Sequence, residues 1–134
     1  MSAPLRCCMQ RQTVNVTTTG SAGVAAGTGA TGVYMRGRLV GVYIDYTSQP
    51  STTDVTIATK TAPIQTLLTR TNANTDAWFY PRIAVHDNTG TAISFAATFP
   101  VYDWFRVDDV ITVTVAQGDA ITDGVVVTIL VEKD

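Results

Sequence analysis

The sequence predicts an all-β protein, a single β-sandwich domain that is jelly-roll-like and carries an extended N-terminal arm. Segments in which apolar and polar residues alternate run through the whole chain, and this alternation is the period of a half-buried strand. Turn-forming residues separate these segments about every 8 to 12 residues, a spacing typical of sandwiches, of which the jelly roll is an eight-stranded form. No window has the i, i+3, i+4, i+7 spacing of an amphipathic helix, so we expect essentially no helix beyond a turn.

The N-terminal quarter is predicted to contain an arm, a first strand and a long loop. Residues 1–11 precede the first alternating segment and are assigned to the arm, while residues 12–134 are assigned to the sandwich domain. Alternation predicts the first strand over 12–18. The Gly- and Ala-rich stretch 20–32 is predicted to be a loop, because glycine weakens helix and strand alike.

The centre of the chain is predicted to form four strands. An apolar face on the even positions of 38–46 indicates a long strand. Two shorter alternating runs follow at 53–59 and 64–70, with a proline between them. The aromatic run 78–85 is interpreted as a strand in which Pro81 marks an edge position or a bulge.

The C-terminal part is predicted to form four more strands. The residues 87–90, Asp-Asn-Thr-Gly, are a strong hairpin-turn signal that leads into a strand at 92–95. A short aromatic strand at 101–105 and a cleanly alternating one at 110–115 follow. The last strand, 125–131, is apolar at nearly every position, so we expect it to be covered on both faces and central in its sheet.

Composition argues against several functions. The chain has a net charge of −2, and charged residues make up only 15% of it, against about 25% in ordinary soluble domains. The sequence has no basic cluster, so we expect no nucleic-acid partner. It also has no basic segment followed by an apolar one and no long apolar run, so we expect neither a signal peptide nor a membrane partner.

Residue types that commonly carry out catalysis or bind metals are scarce. His86 and Glu132 are the only residues of their types, which predicts a non-enzymatic protein with no cofactor and no metal. The adjacent Cys7 and Cys8 cannot cross-link distant segments, and they favour a reducing compartment.

Each cluster of potentially reactive residues has a simpler interpretation. His86 beside Asp87 could form a catalytic pair, but no nucleophile is indicated, and a hairpin cap explains both residues. Asp108 and Asp109 are neighbours, and neighbours on an extended chain point to opposite faces, unlike the convergent carboxylates of a glycosidase. The segment 119–123 lacks the alternating oxygen ligands of a calcium-binding loop.

The aromatic residues are the strongest indication of a binding surface. Consecutive residues of a strand alternate between its two faces, so an aromatic run must place some rings outside the core. Six aromatic residues are concentrated in two segments of the chain: Trp78, Phe79, Tyr80, Tyr102, Trp104 and Phe105. Aromatic residues are enriched at protein interfaces and also stack on sugars, so this feature alone leaves both kinds of partner open.

Three stretches resemble small structural proteins of tailed bacteriophages: VYIDYTSQPSTTDVTI at 42–57, WFYPRIAVHD at 78–87 and PVY at 100–102. They look most like head proteins, in which jelly-roll or β-sandwich cement proteins sit as trimers on the capsid surface. The likeness covers roughly 38–132 and includes no catalytic signature. It implies a capsid decoration protein that stabilises the head by binding between subunits of the major capsid protein. It also implies synthesis in the host cytoplasm, a location on the outer capsid surface of the virion, and a homotrimer.

The predicted partner-binding residues lie in the arm and in the aromatic segments: Arg6, Arg11, Trp78, Tyr80, Trp104 and Phe105. Two other functions remain open. A phage tail or baseplate protein would have the same folding signals, and its copy number per virion would distinguish it from a capsid protein. A carbohydrate-binding β-sandwich module would use Trp78 or Trp104 as a flat exposed platform, and glycan binding would identify it.

Overall fold

The structure is a computed structural model that describes residues 8–96 and 99–133. Within these ranges it is entirely β, with no helix, as predicted. The strands, in chain order, are β1 (Met9–Val16), β2 (Ala25–Ala30), β3 (Met35–Tyr46), β4 (Asp54–Thr59), β5 (Thr66–Arg70), β6 (Ala77–Phe79), β7 (Arg82–Ala84), β8 (Ser94–Phe95), β9 (Phe99–Pro100), β10 (Tyr102–Trp104), β11 (Arg106–Asp109), β12 (Ile111–Gly118) and β13 (Val125–Lys133).

Two antiparallel sheets form the body of the protein. The first sheet has the order β1-β13-β3, and both β6 and β11 pair with the remaining edge of β3. The second sheet has the order β2-β12-β4-β5. Alternate residues of both sheets point into one apolar core, which supplies the hydrophobic driving force for the fold. The largest completely buried side chains of this core are Met35, Leu39, Ile44, Ile57, Ile111 and Ile129.

The last strand is central, as its sequence predicted. β13 lies between β1 and β3 and pairs with both along most of its length. Its inward residues are fully buried, whereas the alternate ones, such as Thr128 and Leu130, are only half buried. The expectation that both faces are covered is therefore wrong, because no layer of the described structure packs on the outer face of this sheet.

The boundary between arm and sandwich differs from the prediction. β1 begins at Met9, which lies opposite Glu132, so residues 9–11 belong to the first sheet. The reason is that β13 continues to Lys133 and offers backbone partners to these residues. Arg11 is thus an exposed strand residue opposite Leu130. The rest of the predicted arm, residues 1–7 with Arg6, lies outside the described residues.

The predicted loop at 20–32 contains a strand instead. β2 pairs with β12 and forms the edge of the second sheet. Its glycines are needed for close approach to β1: a Cβ on Gly27 would lie 2.3 Å from the Thr17 carbonyl oxygen, and one on Gly29 would lie 2.8 Å from Val14 Cγ1. Glycine in a strand often marks such a close approach, so here it permits the two sheets to meet along one side.

The aromatic run 78–85 forms two strands rather than one. β6 ends at Phe79 and β7 begins at Arg82, so Pro81 lies in the break between them, at the type of position that its missing N–H favours. β6 pairs with β3, whereas β7 pairs with β10. The chain therefore leaves the sandwich here, and it returns to the edge of β3 with β11.

The described residues 82–96 and 99–104 form a projection that we call the hairpin lobe. Its stem is the β7–β10 pair, and it carries two hairpins. One hairpin turns at Asp87–Gly90 and is closed by the bridge between His86 and Ala92, in agreement with the predicted turn. The other hairpin consists of β8 and β9.

Candidate interaction surface

Three aromatic rings lie together on the outer face of the first sheet. We call this cluster, Tyr43, Trp78 and Tyr80, the aromatic face. Trp78 on β6 lies opposite Tyr43 on β3, and their ring centroids are 5.3 Å apart at an interplanar angle of 51°. Trp78 and Tyr80 are nearly parallel, with an interplanar angle of 13° and centroids 6.5 Å apart. Trp78 is 40% exposed and Tyr80 is 60% exposed, so two of the predicted binding residues form one solvent-facing cluster.

Gly41 determines where the Tyr80 ring lies. A Cβ added at Gly41 would be 3.1 Å from Tyr80 Cδ1, so the ring rests directly on the backbone of β3. Arg11 lies in the same row of the sheet, because it is opposite Leu130, which in turn is opposite Gly41. The structure therefore places Arg11 on the same face as Trp78 and Tyr80, two strands, or about 10 Å, from Gly41 beneath the Tyr80 ring, and three strands from Trp78 on β6.

Trp104 occupies a different environment. It lies at the base of the hairpin lobe and is half buried. The guanidinium of Arg82 lies 3.8 Å from its ring centroid, and that of Arg38 lies 5.5 Å away, within the range of cation–π attraction. Arg38 also donates a 2.6 Å hydrogen bond to Glu132. Because two guanidiniums flank the ring, Trp104 is not the flat exposed platform that a carbohydrate module was expected to use.

Phe105 is a core residue, so its assignment as partner-binding is wrong. It is only 8% exposed and belongs to the hydrophobic core. The physical reason is its place between β10 and β11, where the Leu39 N–H donates to the Phe105 carbonyl oxygen. This bond ties the junction to β3, and the following strand continues the alternation with Val107 inside.

Sequence patterns did not predict the exposed phenylalanines of the hairpin lobe. Phe95 is 77% exposed and Phe99 is 63% exposed, and the two lie opposite each other in the β8–β9 hairpin. Ile93 and Tyr102 of the hairpin lobe are also exposed. One signal was available, since 88–102 contains no charged residue and yet includes several large apolar ones. The alternation of apolar and polar residues predicts a strand, but it does not show whether another part of the protein packs against that strand.

The carboxylates hold turns and loops together. Asp87 Oδ1 accepts hydrogen bonds from Thr89 Oγ1 at 2.7 Å, Thr89 N at 2.8 Å and Thr91 N at 3.0 Å, and these bonds lower the pKa of Asp87 below its usual value. This carboxylate therefore closes its own turn. Asp108 and Asp109 point to opposite faces, as predicted, with Asp108 exposed and Asp109 buried.

The remaining polar clusters are likewise engaged within the protein. Asp109 accepts hydrogen bonds from Thr61 N at 2.6 Å and Thr61 Oγ1 at 3.0 Å; the backbone bond is the main reason that its pKa is lowered. Asp108 forms an exposed ion pair with Arg36, at the edge of an open depression of about 410 Å³ that Arg106 also lines. Across residues 8–96 and 99–133, no three His, Cys, Asp or Glu side chains come together as a metal site would require.

The same described ranges contain no helix able to span a membrane. Comparison with protein-family models and with curated proteins found no match for this chain. The features that bear on function are the exposed aromatic residues, the polar groups around them and the resemblance of three sequence stretches.

Proposed function

We propose that the chain is a non-enzymatic structural protein of a tailed-phage virion, a decoration or cement protein that binds between major capsid subunits on the outer surface of the head. The observation that carries the proposal is the exposed aromatic face on a well-packed sandwich. Such a surface is suited to association, because aromatic residues are enriched at protein interfaces. The resemblance of 42–57 and 78–87 to phage structural proteins supplies the biological setting.

The strand order supports a jelly roll as the particular form of sandwich. β1-β13-β3-β6 faces β2-β12-β4-β5, and the chain passes between the sheets at five of the seven steps that link these eight strands, with a sixth crossing through the hairpin lobe. A jelly roll is likewise an eight-stranded double sheet made of two Greek keys. Each sheet turns one face to the shared core, so the outer face of the first sheet can remain free for a partner while the core stays closed.

The aromatic face can bind a protein with little loss of side-chain freedom. Trp78 packs between Tyr43 and Tyr80, and Tyr80 rests on Gly41. Rings that are already held in place provide a large contact area at low entropic cost. The outward residues in register with Tyr43 on β13 and β1 are the uncharged Thr128 and Thr13. A protein partner can cover these two residues without the desolvation penalty of buried charge.

Binding to capsids that lack the protein tests this proposal. Truncating an aromatic anchor of an interface typically costs about 2 kcal/mol or more, or roughly thirtyfold in the dissociation constant. We therefore expect Trp78→Ala and Tyr80→Ala each to weaken capsid binding by about 10- to 100-fold. Ile64→Ala is the matched control, because Ile64 is similarly exposed, at 65%, in the β4–β5 connection. Capsid affinities of both variants equal to that of the control would refute the aromatic face as the capsid-binding surface.

The N-terminal segment is proposed to make a second contact with the capsid. Because β1 begins at Met9, a variant that starts at Cys8 removes residues 1–7 of the predicted arm, with Arg6, without shortening the strand. It should keep the β-type circular dichroism spectrum and the melting temperature of the full chain while binding capsids more weakly, since every bound copy loses contacts. Undiminished binding would assign the capsid contact to the sandwich alone.

Carbohydrate binding is the second candidate function. The observation that favours it is the near-parallel arrangement of Trp78 and Tyr80, both exposed on the same face of the first sheet. Glycan-array binding that Trp78→Ala abolishes would support this function over capsid binding. A tail or baseplate role uses the same surface chemistry, and the copy number per virion distinguishes it from decoration of the head.

A further inference from the structure

We propose that the hairpin lobe is the surface through which copies of this chain associate with one another. The proposal concerns contacts between identical chains, and it does not depend on the capsid-binding function.

The hairpin lobe is held together by its backbone. Three chain segments meet at one point, where the Val85 N–H donates to the Val101 carbonyl oxygen at 2.9 Å and the Ile93 N–H donates to the Val85 carbonyl oxygen at 2.9 Å. The Val101 N–H completes the ring by donating to the Ile93 carbonyl oxygen at 3.4 Å. This three-way junction fixes the stem and the two hairpins relative to one another, so the lobe projects as one unit.

The lobe has no core of its own. No residue of 82–96 or 99–104 is buried, although most of the described residues of the lobe belong to strands or bridges. A two-stranded hairpin without a layer on its apolar side is only marginally stable in water. Phe95 and Phe99, which lie opposite each other, add exposed apolar surface, because both side chains are mostly exposed at the far end of the lobe. Exposed apolar surface of this kind marks a site that another surface covers.

The distribution of charge indicates that the molecule covering the hairpin lobe is a second copy of this chain. In a symmetric oligomer the residues near a rotation axis meet their own copies, so any charge there would face an identical charge and be repelled. The lobe has no charged residue between Asp87 and Asp103. Both acids lie at the ends of the apolar segment: Asp87 is bound within its own turn, and Asp103 is in the stem. The apolar centre can thus meet itself without repulsion.

The available area is adequate for a homotypic contact. Phe95, Phe99 and Tyr102 are roughly two-thirds exposed, and aromatic side chains bury about 150–250 Å² each, so these rings alone offer roughly 300–500 Å² per copy. A standard interface buries about 800 Å² per partner. The uncharged residues that flank the rings, among them Ile93 and Pro100, can supply much of the remainder.

Native mass spectrometry and light scattering of the purified full chain test the proposal. We expect one defined oligomer at micromolar concentration. The double variant Phe95→Ser, Phe99→Ser should raise its dissociation constant by at least 100-fold, while Ile64→Ser, at a similarly exposed site outside the lobe, should leave it unchanged. Circular dichroism and melting temperature report on folding, which should persist because neither phenylalanine contributes to the core.

A second variant tests the contact without removing apolar surface. Ser94 is exposed on β8, so Ser94→Asp would place like charges close together in the oligomer. We expect it to dissociate the oligomer at low salt, and high salt should restore association by screening the repulsion.

Three results would overturn the proposal. They are a full-length chain that is monomeric at about 100 μM, a double variant with unchanged assembly, and a Ser94→Asp protein that assembles normally at low salt. A monomer whose capsid binding requires Phe95 would assign the lobe to the capsid; this outcome refutes self-association and leaves the decoration function standing. Conversely, an oligomer that dissociates as expected but does not bind capsids would support the lobe contact and refute decoration.

Discussion

Replacing Gly27 by alanine tests how the two sheets meet along the β1–β2 side. The added Cβ would lie 2.3 Å from the Thr17 carbonyl oxygen, 3.0 Å from Val16 Cγ1 and 3.1 Å from the Thr17 carbonyl carbon. Two of these three atoms are backbone, so no side-chain rotation can relieve the contact. β1 or β2 must move instead, and each is fixed on its other side by pairing with β13 or β12.

The expected cost follows from this geometry. Inserting a methyl group into a packed interior typically costs about 1–3 kcal/mol, which outweighs the roughly 0.4–1 kcal/mol that a Gly→Ala change can contribute by restricting the unfolded chain. We therefore expect Gly27→Ala to lower the free energy of unfolding by about 1–2 kcal/mol. For a chain of this length that corresponds to a fall in melting temperature of roughly 3–10 °C.

Thermal and urea denaturation, followed by circular dichroism, measure the effect. Gly32→Ala is the matched control, because a Cβ on Gly32 meets nothing within 4 Å, and its stability should equal or slightly exceed that of the unmodified chain. A Gly27→Ala protein that melts within 1 °C of the control would refute the close approach of β1 and β2.

Two further predictions concern buried polar groups. Gln49→Ala should lower the free energy of unfolding by about 2–4 kcal/mol in urea denaturation, because the buried Gln49 amide donates to Thr18 Oγ1 and accepts from the Asp119 N–H; a loss below 1 kcal/mol would contradict this. The pKa of Asp109 is lowered by the Thr61 hydrogen bonds, so its contribution to stability is complete above the ordinary carboxyl value of 3.8 and is lost as the pH falls through the lowered pKa. Acid titration of stability should therefore be less steep for Asp109→Asn, and an identical profile would contradict the assignment.

Local sequence patterns determined the type of structure along most of the chain. Alternation at 38–46 and 110–115 corresponds to β3 and β12, because a strand with one face on the core must alternate. The Asp87–Gly90 turn was predicted for an equally local reason, since the Asp side chain bonds to backbone two residues further on. Local geometry also required at least one ring of the aromatic run 78–80 to lie outside the core, because consecutive residues of a strand alternate between its faces.

Only the tertiary structure decided what lies next to each strand. The glycines of β2 indicate a loop when the chain is considered alone, and they become necessary for packing once β1 lies against them. Phe105 and Phe95 are the same residue type, but Phe105, at the junction of β10 and β11, faces the core, whereas Phe95 on β8 faces solvent. The difference arises because β11 pairs with β3, while β8 pairs only with β9. The physical reason is that burial depends on contacts between residues far apart in the chain, which alternation within one segment does not specify.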